Sequence, residues 1–437
     1  CILLFIIIVR TSDGRLTFYP GNQTVDLPFI NFMKRHGSVF LNAYTNSPIC
    51  CPSRAAMWSG LFTHLTESWN NFKGLDPDYV TWMDLMQKHG YYTQKYGKLD
   101  YTSGHHSVSC WFHWSCPCLP CTNVCARGSC GHMLEGDLLI RCMLKNASHP
   151  IVHLCSLIFL WLFSALQAVL EPDSCNLHTA LYCSGLDALN SIISALQDTD
   201  LLKKTIIMFT SDHGELAMEH RQFYKMSMYE GSSHVPLLVM GPGIREQQQV
   251  SAVVSLVDIY PTMLDLARIP VLQNLSGYSL LPLLLEKAEN ELSSRGPRPS
   301  WVLSEFHGCN VNASTYMLRT DQWKYITYSD GVSVPPQLFD LSADPDELTN
   351  VAIKFPETVQ SLDQILRSIV NYPRVSSFVQ NYNKRQFISW KQSLGQNYSN
   401  VIANLRWHQD WLKEPKQYED AIDRWLTKIP ESPKCFI

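Results

Sequence analysis

The chain has 437 residues, 46% of them hydrophobic, and a formal net charge of −4. That is enough apolar material for one large domain and a smaller one. The slightly acidic balance gives no reason to expect nucleic acid as a partner.

The first predicted element is the apolar run Cys1 to Val9, read as a core strand. It has neither the basic leader nor the small-residue cleavage site of a signal peptide. Lacking an initiator Met, the sequence is expected to be a piece of a longer protein. The strand ends in Val9-Arg10-Thr11-Ser12-Asp13. Further on, Cys50-Cys51-Pro52-Ser53-Arg54 sits between Asn42-Ala-Tyr-Thr-Asn-Ser-Pro-Ile49 and a helix-forming stretch that starts at Ala55. Cys50 thus falls at a loop-to-helix junction, where free N–H groups and the helix dipole favour an anion. A buried Cys beside Pro can also be an ordinary core residue.

Tyr96-Gly97-Lys98-Leu99-Asp100 follows, with His105 and His106 as candidate acid–base residues. Ten of the fifteen cysteines then lie between Cys110 and Cys183. Three readings fit this segment: a zinc knuckle using Cys118 and Cys121, a disulfide knot, and sequence that is not native coding sequence. Ile151 to Leu170 is apolar and long enough to span a bilayer. A span there would put Cys50 and Asp212 on opposite sides of the membrane, so a helix that is buried, or that is not native sequence, is the favoured reading, and no membrane span is expected.

Thr205 to Phe209 reads as a buried parallel strand stopping at Ser211-Asp212-His213-Gly214. Ligands collect where such strands end, and an Asp followed by a His can hold a divalent ion. Lys225-Met-Ser-Met-Tyr229-Glu230 follows. Another strand is expected at His234 to Gly243, and a helix at Val257 to Ala267 with Pro261 near its start. The polar stretch from Glu286 to Ser300 marks a boundary, giving units 1–290 and 300–437. Thr315 to Arg319 and Trp323 to Tyr328 suggest antiparallel strands. The tryptophans 390, 407, 411 and 425 read as packing residues. No repeat or low-complexity tract is apparent.

These motifs resemble the sulfatase family over about 11–107 and 180–437. Cys50-x-Pro52-Ser53-Arg54 is similar to the signal by which sulfatases have a cysteine oxidised to formylglycine. The Gly97-Lys98 segment, Asp212-His213-Gly214, Lys225 to Glu230 and Phe339-Asp340-Leu341 with Asp344 to Glu347 resemble other family signatures. The resemblance implies an alkaline-phosphatase-like α/β sandwich with a central, mostly parallel sheet and a small C-terminal antiparallel sheet. It implies sulfate-ester hydrolysis on a glycosaminoglycan sugar, 2-sulfated glucuronate in particular, with one Ca²⁺ ion. Cys50, Arg54, Lys98, His105 and Lys225 would be catalytic, and Asp13, Cys50, Asp212 and His213 would hold the metal. A formylglycine-generating enzyme would act on the chain during maturation. With five Asn-x-Ser/Thr sequons at Asn22, Asn146, Asn274, Asn312 and Asn397, the expected location is lysosomal or secreted through the endoplasmic reticulum.

Two departures from the family pattern stand out. Arg10 occupies a position where an acidic ligand is expected, and a cation there opposes metal binding. Residues 107–176 do not match the family, and Ser148-His149-Pro150 is the one echo there of its Pro-His loop. An impaired, sulfatase-like chain is therefore one alternative, and a phosphodiesterase or phosphonate hydrolase of the same superfamily is another.

Overall fold

Strand-forming runs buried on both faces build the centre of the molecule. The computed structural model describes residues 3–9, 28–97, 100–102, 151–157, 190, 192–270, 274–285, 297–308, 314–404 and 413–427. Seven strands form the central sheet: β1 (Leu3–Val9), β2 (Gly37–Tyr44), β3 (Tyr92–Gly97), β4 (Ile151–Leu157), β5 (Thr205–Ser211), β8 (Leu237–Met240) and β9 (Gln248–Ser255). Between β5 and β8 the two-residue strands β6 (Leu216–Ala217) and β7 (Phe223–Tyr224) pair as a separate hairpin. The order across the sheet is β3-β4-β1-β5-β8-β2-β9. Neighbours run parallel except at β8, which is antiparallel to both β5 and β2.

Alternation along the strands feeds two cores. Leu4, Ile6 and Ile8 of β1 join Ile206 and Met208 on one face, and Phe5, Ile7 and Val9 join Ile207 and Phe209 on the other. The first face is covered by α2 (Cys50–Ser59), α3 (Trp82–Lys88) and α4 (Ile259–Leu266), and the second by α1 (Pro28–His36) and helical residues 192–198. Each fully buried aliphatic side chain contributes about 1.5–3 kcal/mol, so this double-sided burial dominates the stability of the sheet.

Four antiparallel strands, β10 (Trp301–Phe306), β11 (Thr315–Thr320), β12 (Trp323–Tyr328) and β13 (Gln337–Asp340), form the second sheet. One of its faces packs on α5 (Pro356–Ile369), and Leu303, Tyr316 and Leu318 share a core with Ala56 of α2 and Phe62. Beyond it runs α6 (Tyr372–Leu394), where Trp390 packs against Phe387 and Tyr398, and Trp425 against Phe387.

The expected strands at the N-terminus, at Thr205 and at Leu237 are all present. One reading is corrected. Ile151–Leu157, taken as the start of a buried helix, is β4, paired in parallel with β1 and β3. A short apolar run carries no periodicity that separates strand from buried helix, and here the open edges of two parallel strands decide. Residues 158–170 and the cysteines at 110–142, 175 and 183 lie outside the described residues. Among the described residues no helix is long and apolar enough to cross a membrane.

Candidate active site

Parallel β2 and β5 carry the chain to the same end of the sheet. The loop after β2 leads into α2, whose first residue is Cys50, and β5 runs directly into Asp212 and His213. All ten residues of α2 are buried. The helix ends at Gly60, in the left-handed region at φ 68°, where a Cβ would lie 2.8 Å from Tyr260. Gly214 has a different reason to be glycine: a Cβ there would meet the Gly231 carbonyl oxygen at 2.1 Å. The Asp-His turn thereby packs backbone to backbone against the segment that follows Lys225.

Five of the predicted site residues come together. Cys50 Sγ lies 3.3 Å from His213 Nε2, and Lys225 Nζ donates to the same sulfur at 3.2 Å. Arg54 Nε donates to Asp212 Oδ2 at 2.9 Å, with both side chains almost fully buried. The guanidinium thus holds the carboxylate of the turn. Ser53 Oγ ties the helix to the same turn by donating to the Asp212 carbonyl, and Thr45 Oγ1 donates to Ser53 Oγ at 2.9 Å. Asp13, Lys98, His105 and His149 lie outside the described residues.

Burial pushes the Cys50 thiol up. The His213 ring and the Lys225 ammonium act against this, with Asp212 opposing them, and the net position is well below the ordinary thiol value. His213 Nδ1 lies 2.9 Å from the Gly214 carbonyl oxygen and must be the protonated ring nitrogen. In the neutral ring this leaves a lone pair on Nε2, turned toward Cys50. Cys50, Asp212 and His213 place their ligand atoms within 4.8 Å of one another, all three residues being buried. The Asp212 carboxylate, and an oxygen at the Cys50 position once that residue is oxidised, are hard donors of the kind Ca²⁺ takes, whereas the imidazole nitrogen of His213 is a donor that suits Zn²⁺ as well.

Several supporting residues carry no recognisable spacing in the sequence. Asn46 Oδ1 accepts from both the backbone N–H and the hydroxyl of Thr63, each at 2.9 Å, while Asn46 Nδ2 donates to Leu303. Glu305 N–H donates to the Asn46 carbonyl at 2.7 Å, and Ser304 Oγ donates to the Thr45 carbonyl. The loop that delivers Cys50 is therefore fastened to β10, some 250 residues away in the chain. Long-range pairing of this kind leaves no local trace.

Family models described as Sulfatase and as N-sulphoglucosamine sulphohydrolase, C-terminal, match residues 3–107 and 218–372. Arylsulfatase K of Gallus gallus is 71% identical over 487 residues, covering 95% of this chain and 91% of that protein. The aligned length exceeds the 437 residues here, so that relative carries residues with no counterpart in this chain. A putative sulfatase from Bacteroides thetaiotaomicron has a similar fold, with a TM-score of 0.68 at 20% identity, covering 85% of this chain and 93% of that one. A 2-O GAG sulfatase is likewise similar, with a TM-score of 0.66 at 21% identity, covering 85% and 92%. The chain belongs to the sulfatase family of sulfuric ester hydrolases, among the arylsulfatase K proteins.

Proposed function

We propose that this chain, once Cys50 has been converted to formylglycine by a formylglycine-generating enzyme, hydrolyses sulfate esters on glycosaminoglycan sugars, 2-sulfated glucuronate among them. The observation that carries this reading is the position of Cys50, buried at the first turn of α2 with Lys225 Nζ 3.2 Å and His213 Nε2 3.3 Å from its sulfur. In the mature residue the sulfur position is taken by the oxygens of a hydrated aldehyde. One of these hydroxyls, losing its proton, would form a bond to the sulfate sulfur as the bond from sulfur to the sugar oxygen breaks. The second hydroxyl would then give up its proton, the C=O bond would re-form, and sulfate would leave; water restores the hydrate. An ordinary Ser or Cys would retain a sulfated adduct that is hard to hydrolyse.

Lys225 would hold the charge that builds on the sulfate oxygens, an effect strongest in a water-poor pocket. Asp212, by resemblance Asp13, and the oxygens that take the place of the Cys50 sulfur would give a divalent ion, Ca²⁺ by the resemblance, its hard oxygen ligands, with His213 beside them; when bound the ion would polarise the sulfate. Arg54 would fix the orientation of Asp212, and Lys98 and His105 would complete the site. The exposed sequons at Asn274 and Asn397 suit passage through the endoplasmic reticulum to the lysosome or the cell exterior. Peptide mass spectrometry should find an aldehyde at Cys50 in protein secreted from maturation-competent cells, and this protein should turn over a sulfate ester in preference to a phosphonate ester. A free thiol at Cys50, or a preference for the phosphonate, would overturn the reading.

A further inference from the structure

Two of the sequence signatures take no part in the chemistry at Cys50: Glu230, which closes the segment begun by Lys225, and the run from Asp344 to Glu347. The structure joins them through Lys324 of β12, whose side chain is fully buried. Lys324 Nζ lies 2.6 Å from Glu230 Oε1 and 2.7 Å from Glu347 Oε1, and it donates to the Met228 carbonyl at 3.0 Å. Three acceptors thus meet the three protons of an ammonium group. Glu347 completes the ring by accepting from the Glu230 backbone N–H at 2.7 Å. It does so from the left-handed region at φ 57°, and Asp344 holds that turn by accepting from the N–H groups of Leu348 and Thr349 at 3.1 and 2.8 Å. A buried residue other than glycine kept in that conformation marks a place where the surroundings dictate geometry.

The segment anchored in this way also touches the catalytic centre. Met226 N–H donates to the Pro48 carbonyl at 2.9 Å, two residues before Cys50. The Ser232 carbonyl accepts from Gly214 N–H at 2.8 Å, and the Ser233 carbonyl from Thr45 N–H at 3.0 Å. Residues 228–233 therefore connect the Lys324 cluster with both the Cys50 loop and the Asp-His turn. Only two residues separate Lys225 from Met228, and exposure falls from 47% at Met226 to 3% at Met228. The buried end of the segment is thus the fixed point from which Lys225 reaches Cys50. For stability alone a buried ion cluster is a poor choice, since well-packed apolar side chains of similar volume often do as well or better. Directional contacts around one nitrogen hold a backbone in place in a way that apolar packing does not.

We propose that Lys324 and Glu347 are positioning residues, which set the place of the Lys225 nitrogen beside Cys50 by fixing the backbone at 228–230. The part played by Lys225 in the reaction rests on the function proposed above; the anchoring rests on the contacts of Lys324 and Glu347 alone. The test uses the full chain after maturation, with rates expressed per formylglycine. Lys324→Met and Glu347→Gln are each made in the wild type and in Lys225→Ala. Leu338→Ala, at a fully buried position of β13, is the control for a loosened second sheet. Turnover of a small aryl sulfate gives kcat and KM, and hydrogen exchange read by mass spectrometry gives backbone protection.

Lys324→Met is expected to lower kcat by about 10–10²-fold, the cost of a misplacement on the order of 1 Å, with KM within about twofold, and Glu347→Gln to do the same more weakly. In Lys225→Ala neither change should lower kcat by more than about twofold, because the group they place is gone. Exchange should quicken at 226–234 in Lys324→Met and stay as it is in β10, and Leu338→Ala should lower the denaturant midpoint with kcat in place. Equal losses with and without Lys225, or a loss in Leu338→Ala as large as in Lys324→Met, would overturn the proposal. If Lys324→Met yields no folded protein, Glu347→Gln decides by the same comparisons. Wild-type protein that turns over no sulfate ester would tell against the proposed reaction instead; exchange at 226–234 then decides the anchoring, quickened exchange supporting it and unchanged protection overturning it.

Discussion

The two sides of the Cys50 sulfur are built differently. On one side Cys50, Arg54, Asp212 and His213 come from a wholly buried helix and a turn packed backbone to backbone. On the other, Lys225 follows the hairpin of β6 and β7, where Met218, Phe223, Tyr224 and Met226 are all more than 40% exposed and Met218, His220, Arg221, Tyr224 and Met226 adopt positive φ. The proposed nucleophile is thus held by the protein's core and its cation by the protein's surface. Alterations of the buried side should cost folding, and alterations of the hairpin should cost only turnover.

The largest expected effect comes from Cys50→Ala, which removes the proposed reacting group: turnover should fall roughly 10⁴-fold or more, with little change in thermal midpoint because a small buried side chain replaces another. Arg54→Ala should act through stability instead. It leaves Asp212 buried beside an empty position, and breaking a buried pair costs about 3–5 kcal/mol, readable as a lower denaturant midpoint. A variant that stays as stable as the wild type would break the contrast. Lys225→Ala should lower kcat by about 10²–10³ while the midpoint stays put. A large loss of stability there would mean that the hairpin is part of the core framework after all.

A smaller effect concerns the attachment of the Cys50 loop to β10. Glu305 is fully buried, with His64 Nδ1 at 2.8 Å and His307 Nε2 at 3.3 Å. Burial opposes its charge, but the two histidines lower its value from 4.5 to about 2. Burial also opposes the charge on His64, and Glu305 nonetheless holds it above its ordinary 6.5. The depressed carboxylate contributes stability above about pH 4.5, lost as pH falls toward 2. The raised histidine contributes below about pH 6.5, lost as pH rises through its folded value. Glu305→Gln should therefore be destabilised most between about pH 4.5 and pH 6.5, and less as pH falls toward 2 or rises through the folded value of His64, a window that thermal melts of both forms would define.

Much of the catalytic side was legible because its chemistry demands fixed residue types at short spacing: Cys50 with Pro52 and Arg54, Asp212 with His213, Lys225 with Tyr229 and Glu230. The strands at Leu3, Thr205 and Leu237 were legible as uninterrupted apolar runs. The antiparallel course of β8 was not, since direction within a sheet leaves no mark on composition. Neither was β4, whose apolar run suits strand and buried helix equally, nor the pairing of Arg54 with Asp212, nor the Asn46, Ser304 and Glu305 attachments, which join positions far apart in the chain.

The parallel pairing of β1 with β4 and β5 also has a consequence during synthesis. Leu3 meets its partner in Thr205, and Leu4 meets Val152. The seven apolar residues of β1 are therefore translated long before either neighbour exists, and the closure of such a long loop has to be met before any ladder bond forms. In that interval β1 is an unpaired, hydrophobic strand on a growing chain, the kind of segment that chaperones bind and that aggregates when they are scarce. The segment between Gly97 and Thr205 sets how long that exposure lasts, so a change of its length acts on the yield of folded protein before it can act on the chemistry at Cys50.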